Sequence, residues 1–434
     1  MQTLDLTPHW TGFAALTIFV LAYVLVIFEE KTHMAKSKPV MLAAGLIWGL
    51  IGIAYTLAGQ PDVAHEHAVQ VIEEYGELFL FLLVAITYVN TLEERRAFVV
   101  LRARLVGLGL GYRQLFLLTG ILAFFLSAVL DNLTTALVMG AVVMALGRDN
   151  ARFVAIGCVS IVVAANAGGA FSPFGDITTL MVWQKEKLEF FEFFALFIPS
   201  LINWAVPAGI MYFAVPDEKP PLRSDRVRGK PGMFGVAILF AATIALAVGF
   251  KNFLNLPPAL GMMFGLGLLQ MYSYSLSQTG ARKNDEDMVL DSFAQLQKVE
   301  WDTLFFFFGI IFAVGGLGVL GYLAMASEAL YMGLGATSAN VILGVLSAIV
   351  DNIPLMFAVL TMDPAMSDGQ WLLITLTCGT GGSILSIGSA AGVALMGQAK
   401  GMYGFMSHLR WSWAVALGYG AAILAHLWIN AALF

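Results

Sequence analysis

The sequence predicts an all-α integral membrane protein of about ten transmembrane spans plus two re-entrant hairpins, arranged as two inverted-topology repeats with two broken helices. Three observations carry that expectation. Hydrophobic residues make up 59% and charged residues 12% of the 434, and mean hydropathy is +0.81, where a soluble domain carries roughly 25% charge. The peptide Ser127-Ala-Val-Leu-Asp131-Asn132 returns 220 positions on as Ser347-Ala-Ile-Val-Asp351-Asn352. Each copy is followed by a glycine-broken apolar segment, Asn166-Ala-Gly168-Gly169-Ala-Phe-Ser172-Pro173-Phe-Gly175-Asp176 and Thr380-Gly381-Gly382-Ser-Ile-Leu-Ser386-Ile-Gly388-Ser389.

Runs long enough to cross, at about 20 residues each, lie near 11–28, 40–58, 76–92, 153–184, 190–214, 232–250, 257–276, 303–325, 371–399 and 411–432. The stretches 115–147 and 340–362 have Asp-Asn at their middle and are too short for two full crossings. Read as hairpins that enter and leave on one face, they put every one of the 23 lysines and arginines except Lys185, Lys187 and Lys251 on a single side. A single crossing by each leaves the split nearly even. The positive-inside rule therefore favours hairpins and makes the basic side cytoplasmic, with both termini periplasmic. No basic n-region precedes the first apolar run, which is expected to be a retained span rather than a cleaved signal.

Five crossings per half, an odd number, turn the second half upside down relative to the first. The first repeat takes residues 1–215, with hairpin 115–147 and broken span 153–184. The proline- and charge-rich segment 216–231 reads as a cytoplasmic linker. The second repeat takes 232–434, with hairpin 340–362 and broken span 371–399, and the polar stretch 277–302 reads as a surface loop.

Irregular backbone at bilayer depth must be buried in protein or line a cavity, since lipid satisfies none of its polar groups. Four half-helix ends are thus expected to converge: two hairpin tips and two broken spans. Their side chains suit a cation. Asp131, Asp176 and Asp351 supply carboxylates, Asn132, Asn166 and Asn352 amides, and Ser172, Thr178, Thr179, Ser347, Ser386 and Ser389 hydroxyls, with no lysine or arginine at any of the four places. Hard oxygen ligands match sodium, lithium or calcium rather than a soft metal; sodium is expected on Asp131, Asp351, Asn132 and Asn352. Withdrawing a carboxylate from water also favours its protonated form, so metal ion and proton would compete for one group. That competition is the minimal chemistry of an exchanger, and moving its charge is worth about 2.3 kcal/mol per 100 mV.

Plainer roles suit the same residues. Asp131, Asp351 and Asp176 each stand where a helix restarts and fit an N-cap, and Asn166 and Ser386 fit as partners of freed backbone. Glu77, near the outer end of the third span, reads equally as a solvated end residue and as a proton relay. His426 reads as a hydrogen-bonded packing histidine, and His65, Glu66, His67, Glu73 and Glu74 as a solvated external loop. Phe305 to Phe308 read as lipid-facing. Cys158 and Cys378 read as small packing residues with no disulfide or zinc site. The expected partner is the lipid bilayer, not nucleic acid. No cofactor is expected beyond the transported ions.

At the four segments the chain resembles the ion transporter superfamily, most closely its NhaD-type sodium/proton antiporters of bacterial inner membranes, over nearly its full length. The motifs that carry the resemblance are Leu130-Asp-Asn-Leu-Thr-Thr-Ala136, Ala165-Asn-Ala-Gly-Gly-Ala-Phe-Ser-Pro-Phe-Gly-Asp-Ile-Thr-Thr179, Asp351-Asn-Ile-Pro354 and Ser386-Ile-Gly-Ser-Ala-Ala391. The resemblance implies a homodimer in which hairpins and broken spans form a mobile transport unit, exchanging cytoplasmic sodium or lithium for external protons by alternating access. Relatives that carry dicarboxylates with sodium have a neutral Ser-Asn-Thr at each tip. Here aspartate comes first and Leu133 or Ile353 third, which weakens the alternative of a sodium-coupled organic-anion or oxyanion transporter. A remoter alternative, an intramembrane aspartyl protease using Asp131 and Asp351, lacks the Gly-x-Gly-Asp and Tyr-Asp surroundings of that class.

Overall fold

The computed structural model describes residues 4–32, 34–220, 227–399 and 401–434. Arg223, Arg226 and Lys400, counted above in the charge asymmetry, lie outside the described residues. Among those described, all regular structure is helical. Seven helices are long and apolar enough to cross a bilayer alone: Trp10–Ile27, Ser37–Leu57, Ala151–Gly169, Glu192–Tyr212, Met233–Leu254, Trp301–Val319 and Ser412–Ile429. An eighth arises if the bent pair Tyr322–Met332 and Ala336–Leu346 counts as one span.

Three of the expected spans fall on helices of another character. The run 76–92 is the far end of a 34-residue helix, Pro61–Glu94. His65, Glu66, His67, Glu73 and Glu74 therefore belong to a helix rather than a loop, with Glu66 and Glu73 exposed. The run 257–276 lies in Pro258–Lys283, whose apolar character is diluted by Gln270, Tyr272, Ser273 and Ser275. The run 371–399 is split into Asp368–Gly381 and Ala390–Gln398.

The chain divides into two compact units, each drawing on both halves of the sequence. The first comprises Met1–Ala97, Gly229–Ala329 and Phe357–Asp363. Within it Ser37–Leu57 lies along Trp301–Val319, burying Ile47, Ile51 and Leu317. A Cβ on Gly309 would stand 2.6 Å from the carbonyl carbon of Val40, so the backbones approach as small residues allow helices to do in lipid. The Tyr88 hydroxyl donates to Gly265 O at 2.8 Å and meets the Thr243 hydroxyl at 2.9 Å, tying three helices together. Phe306 and Phe307, expected at the lipid, are buried, while Phe305 is exposed.

At the end of Pro61–Glu94 the fully buried Arg95 side chain donates to Glu94 and to the carbonyls of Pro231, Asp287 and Val289. Lys230 reaches the same Glu94 at 2.8 Å. Burial pushes the Glu94 carboxyl up, but the hydrogen bonds and charges of Arg95 and Lys230 outweigh it and hold the group below its ordinary value. Trp10–Ile27 and Met233–Leu254 are by contrast mostly uncovered, exposing Leu21, Phe234 and Ile238, as suits surfaces bathed in hydrocarbon.

The second unit comprises Phe98–Arg228, Leu330–Met356 and Pro364–Phe434. It holds the helix pair Tyr112–Ser127 and Asn132–Leu146, and the broken span Ala151–Gly169 and Ile177–Gln184. From the second half come Ala336–Leu346, the start of Asn352–Met362, and the broken span Asp368–Gly381 and Ala390–Gln398. Phe197–Tyr212 packs on Ser412–Ile429, where a Cβ on Gly418 would stand 2.5 Å from Asn203 O. His426 is buried and bonded through both ring nitrogens, Nε2 to Gly369 O at 2.9 Å and Nδ1 to the Asn430 amide at 2.9 Å.

Candidate functional site

Local chemistry explains each interruption. Asp131 starts the helix Asn132–Leu146 as its N-cap, accepting the Thr134 N–H at 2.8 Å and the Thr134 hydroxyl at 2.6 Å. Past Gly168-Gly169 and Pro173, Asp176 restarts the chain as a helix by accepting the Thr178 N–H at 3.1 Å. The Thr179 hydroxyl secures that turn, donating to the carbonyls of Ser172 at 2.9 Å and Asp176 at 2.6 Å.

The two copies of the repeated peptide make the same contacts. The Ser127 hydroxyl donates to Ala165 O at 2.6 Å, and its counterpart Ser347 donates to Cys378 O at 2.9 Å. A Cβ on Gly168 would collide with Phe124 O and one on Gly381 with Gly344 O. Gly175 is pressed in the same way on Ser127 O, and Gly388 on Ser347 O. Backbone lies against backbone at all four places, so only glycine fits.

The interruptions meet at Asp176, a carboxylate only 4% exposed. Its Oδ2 accepts the side-chain amide of Asn132 at 3.0 Å and that of Asn352 at 3.0 Å. Asn132 also donates to Asn166 Oδ1 at 3.0 Å, and Asn166 exchanges hydrogen bonds of 3.0 and 3.1 Å with the Ser389 hydroxyl. One network thus joins both repeated asparagines and both broken spans. Within the duplicated segments Gly379 stands where the first half has Asn166, and Ser389 where it has Asp176. A Cβ on Gly379 would lie 4.0 Å from Asp176 Oδ2, so the missing side chain leaves room before the carboxylate. The buried Thr178 hydroxyl beside it makes no hydrogen bond of good geometry.

The other expected residues lie outside this network. Asp131 spends both oxygens on Thr134, and Asp351 accepts a long bond of 3.4 Å from the Ile353 N–H. Ser347 and Thr179 are turned onto carbonyls. Glu77, half-buried, belongs to the first unit and so to a different body from the network. Among the described residues no group of three or more His, Cys, Asp or Glu is placed to hold a metal ion, and Cys158 and Cys378 are buried free thiols.

Ser386 serves a second, buried chain that the sequence did not reveal. It stands in the left-handed region, at φ 69°, and its hydroxyl meets Tyr403 Oη at 3.1 Å; Tyr403 meets His408 Nδ1 at 2.8 Å, and His408 Nε2 faces Ser383 O at 2.7 Å. A carbonyl only accepts, so the imidazole proton sits on Nε2, Tyr403 donates to Nδ1, and Ser386 donates to Tyr403. Burial holds His408 down at about 4 and keeps the ring neutral. Tyr403 and His408 lie between spans, where no apolar periodicity marks them.

Chemically, the Asp176 carboxyl is met by neutral hydrogen-bonding partners. Amide N–H groups suit the ionised carboxylate; a small cation on Oδ2 would need Asn132 and Asn352 to present their amide oxygens instead, a half-turn of each amide. A proton on Oδ2 needs one such oxygen. The same side chains can therefore serve either occupant.

The citrate-transporter family profile (CitMHS) matches residues 23–379. The Na(+)/H(+) antiporter NhaD of Halomonas elongata is 52% identical over 447 residues, covering 99% of this chain and 90% of that protein. That of Vibrio cholerae is 51% identical over 448 residues, covering 99% and 94%. Sodium/proton antiporter 1 of Arabidopsis thaliana is 33% identical over 434 residues, covering 95% and 72%.

Proposed function

The chain belongs to the citrate-transporter (CitMHS) family and, within it, to the NhaD-type sodium/proton antiporters, and from that premise we propose that it exchanges cytoplasmic sodium or lithium for external protons across a bacterial inner membrane. It is a transporter and not an enzyme, which sets the protease reading aside. The observation that carries the site is the convergence of Asn132, Asn166, Asn352 and Ser389 on Asp176. Metal ion and proton compete there, and the proposed site extends to Asp131, Asp351, Thr178, Thr179, Ser347 and Ser386 at the four interruptions. Among the described residues no cationic side chain bonds to the network, so an organic anion would meet the Asp176 carboxyl with no positive group to hold it.

Two observations support the inverted repeats and the re-entrant hairpins. The duplicated peptide makes duplicate contacts in the two halves. Moreover, Arg152 and Arg410 line one cleft, as expected if the loops before the first broken span and after the second share a face. Hairpins require that; single crossings would place the two arginines on opposite faces. The repeats 1–215 and 232–434, joined by the linker 216–231, each contribute a tip and a broken span to the second compact unit, so the ion-carrying residues belong to one body. Periplasmic termini and the homodimer implied by the resemblance belong to the same reading.

Everted membrane vesicles test it. Adding sodium or lithium to vesicles holding a respiration-driven pH gradient is expected to dissipate that gradient with this protein and not with Asp176→Asn. Sodium-dependent uptake of a labelled organic acid, with no change in the pH gradient, would contradict it.

A further inference from the structure

We propose that the cleft between the start of Ala151–Gly169 and residues 406–411 binds the headgroup of an anionic phospholipid. The cleft encloses about 1060 Å³, lined by Arg152 and Arg410 together with Ile156, Met406, Leu409 and Trp411. Both arginines are exposed, and among the described residues neither guanidinium group has an ion pair or hydrogen bond; Asp149, one turn before Arg152, pairs with neither. Two guanidinium groups on one cleft repel each other unless an anion lies between them, and their planar forks match phosphate oxygens.

The remaining lining selects a lipid over a soluble anion. Met406 is 73% and Leu409 39% exposed, apolar surface that inorganic phosphate would leave in water and acyl chains would cover. Trp411 has the amphipathic ring found at the bilayer interface. The charge asymmetry of the sequence puts both arginines on the cytoplasmic side, where basic pockets between spans take up anionic headgroups. The site rests on the topology proposed above and not on the ion exchange, so it stands or falls independently of that activity.

The test uses full-length protein in mild detergent, followed by its thermal midpoint on adding dioleoyl-phosphatidylglycerol, dioleoyl-phosphatidylcholine or inorganic phosphate. Phosphatidylglycerol is expected to raise the midpoint by several degrees more than phosphatidylcholine. The Arg152→Gln/Arg410→Gln variant should lose that difference, and Arg152→Lys/Arg410→Lys should keep part of it. Equal protection of the double glutamine variant overturns the proposal. So does equal protection by inorganic phosphate, which would mark a soluble-anion site. If the double variant does not fold, the single substitutions are read in the same way, and undiminished protection in both is equally fatal.

Discussion

Asn352 reaches across 176 positions of sequence to donate its side-chain amide to Oδ2 of Asp176 at 3.0 Å. Asn132, its counterpart in the other copy of the repeated peptide, donates to the same oxygen. The carboxylate is therefore bracketed by the two halves of the chain, and neither half builds the site alone.

Asp131 separates charge from capping. Asparagine caps a helix as well as aspartate, whereas alanine costs about 1 kcal/mol. Asp131→Asn, like Asp351→Asn, is expected to keep the thermal midpoint of the wild-type protein and to lose sodium-driven proton movement. Normal exchange in both asparagine variants would reduce the two residues to structural roles and leave Asp176 as the working acid.

The glycines make a contrasting pair of predictions. A Cβ at Gly379 meets only ordinary contacts, the nearest being Ala170 Cβ at 3.6 Å. Gly379→Ala should fold and weaken sodium binding several-fold by crowding the approach to Asp176. Gly381→Ala and Gly388→Ala drive a methyl into backbone carbonyls and should lose at least the roughly 1–3 kcal/mol of an overpacked core, seen as a lowered yield of folded protein. Normal yields for those two variants would refute the close backbone contact.

Much of this was legible in the sequence because the signals were local. The Asp-Asn duplication and the glycine-rich segments marked all four interruptions, since caps and breakers act on their own neighbours. Hydropathy missed the length of Pro61–Glu94, because Glu66, Glu73 and Glu74 on its first turns read as a loop. It also placed Phe306 and Phe307 in lipid, because an apolar run does not show which of its faces packs on protein. All five of the network's residues, Asp176, Asn132, Asn166, Asn352 and Ser389, were on the page as candidates. The choice of Asp176 over Asp131 and Asp351 as its centre was not, because that choice depends on which side chains point at one another after folding. His408 and Tyr403 left no trace for the same reason.

His408 gives a pH dependence with a defined sign. Its folded value is about 4 against an ordinary 6.5, so between those limits the unfolded chain binds a proton that the folded one refuses. Stability is fully present above pH 6.5 and lost as pH falls toward 4, at up to about 1.36 kcal/mol per unit. The thermal midpoint of His408→Gln in detergent should fall less between pH 6.5 and 4.5 than that of the wild-type protein. Equal slopes would mean that the ring takes up its proton without disturbing the fold.

The hairpin topology is open to labelling, helped by the burial of both native cysteines. Arg148→Cys should react with an impermeant maleimide only from the cytoplasmic side, and Asp363→Cys only from the periplasm. Reversed accessibility would invert the assignment.

The central claim is that sodium and a proton compete for Asp176. The most direct measurement is sodium binding to the purified protein, by isothermal titration or by equilibrium exchange of labelled sodium, across a pH series. One-for-one competition makes the apparent Kd rise about tenfold for each unit of pH lowered once the site is mostly protonated, and Asp176→Asn should remove the binding. A sodium affinity independent of pH, or unchanged binding by Asp176→Asn, would contradict it.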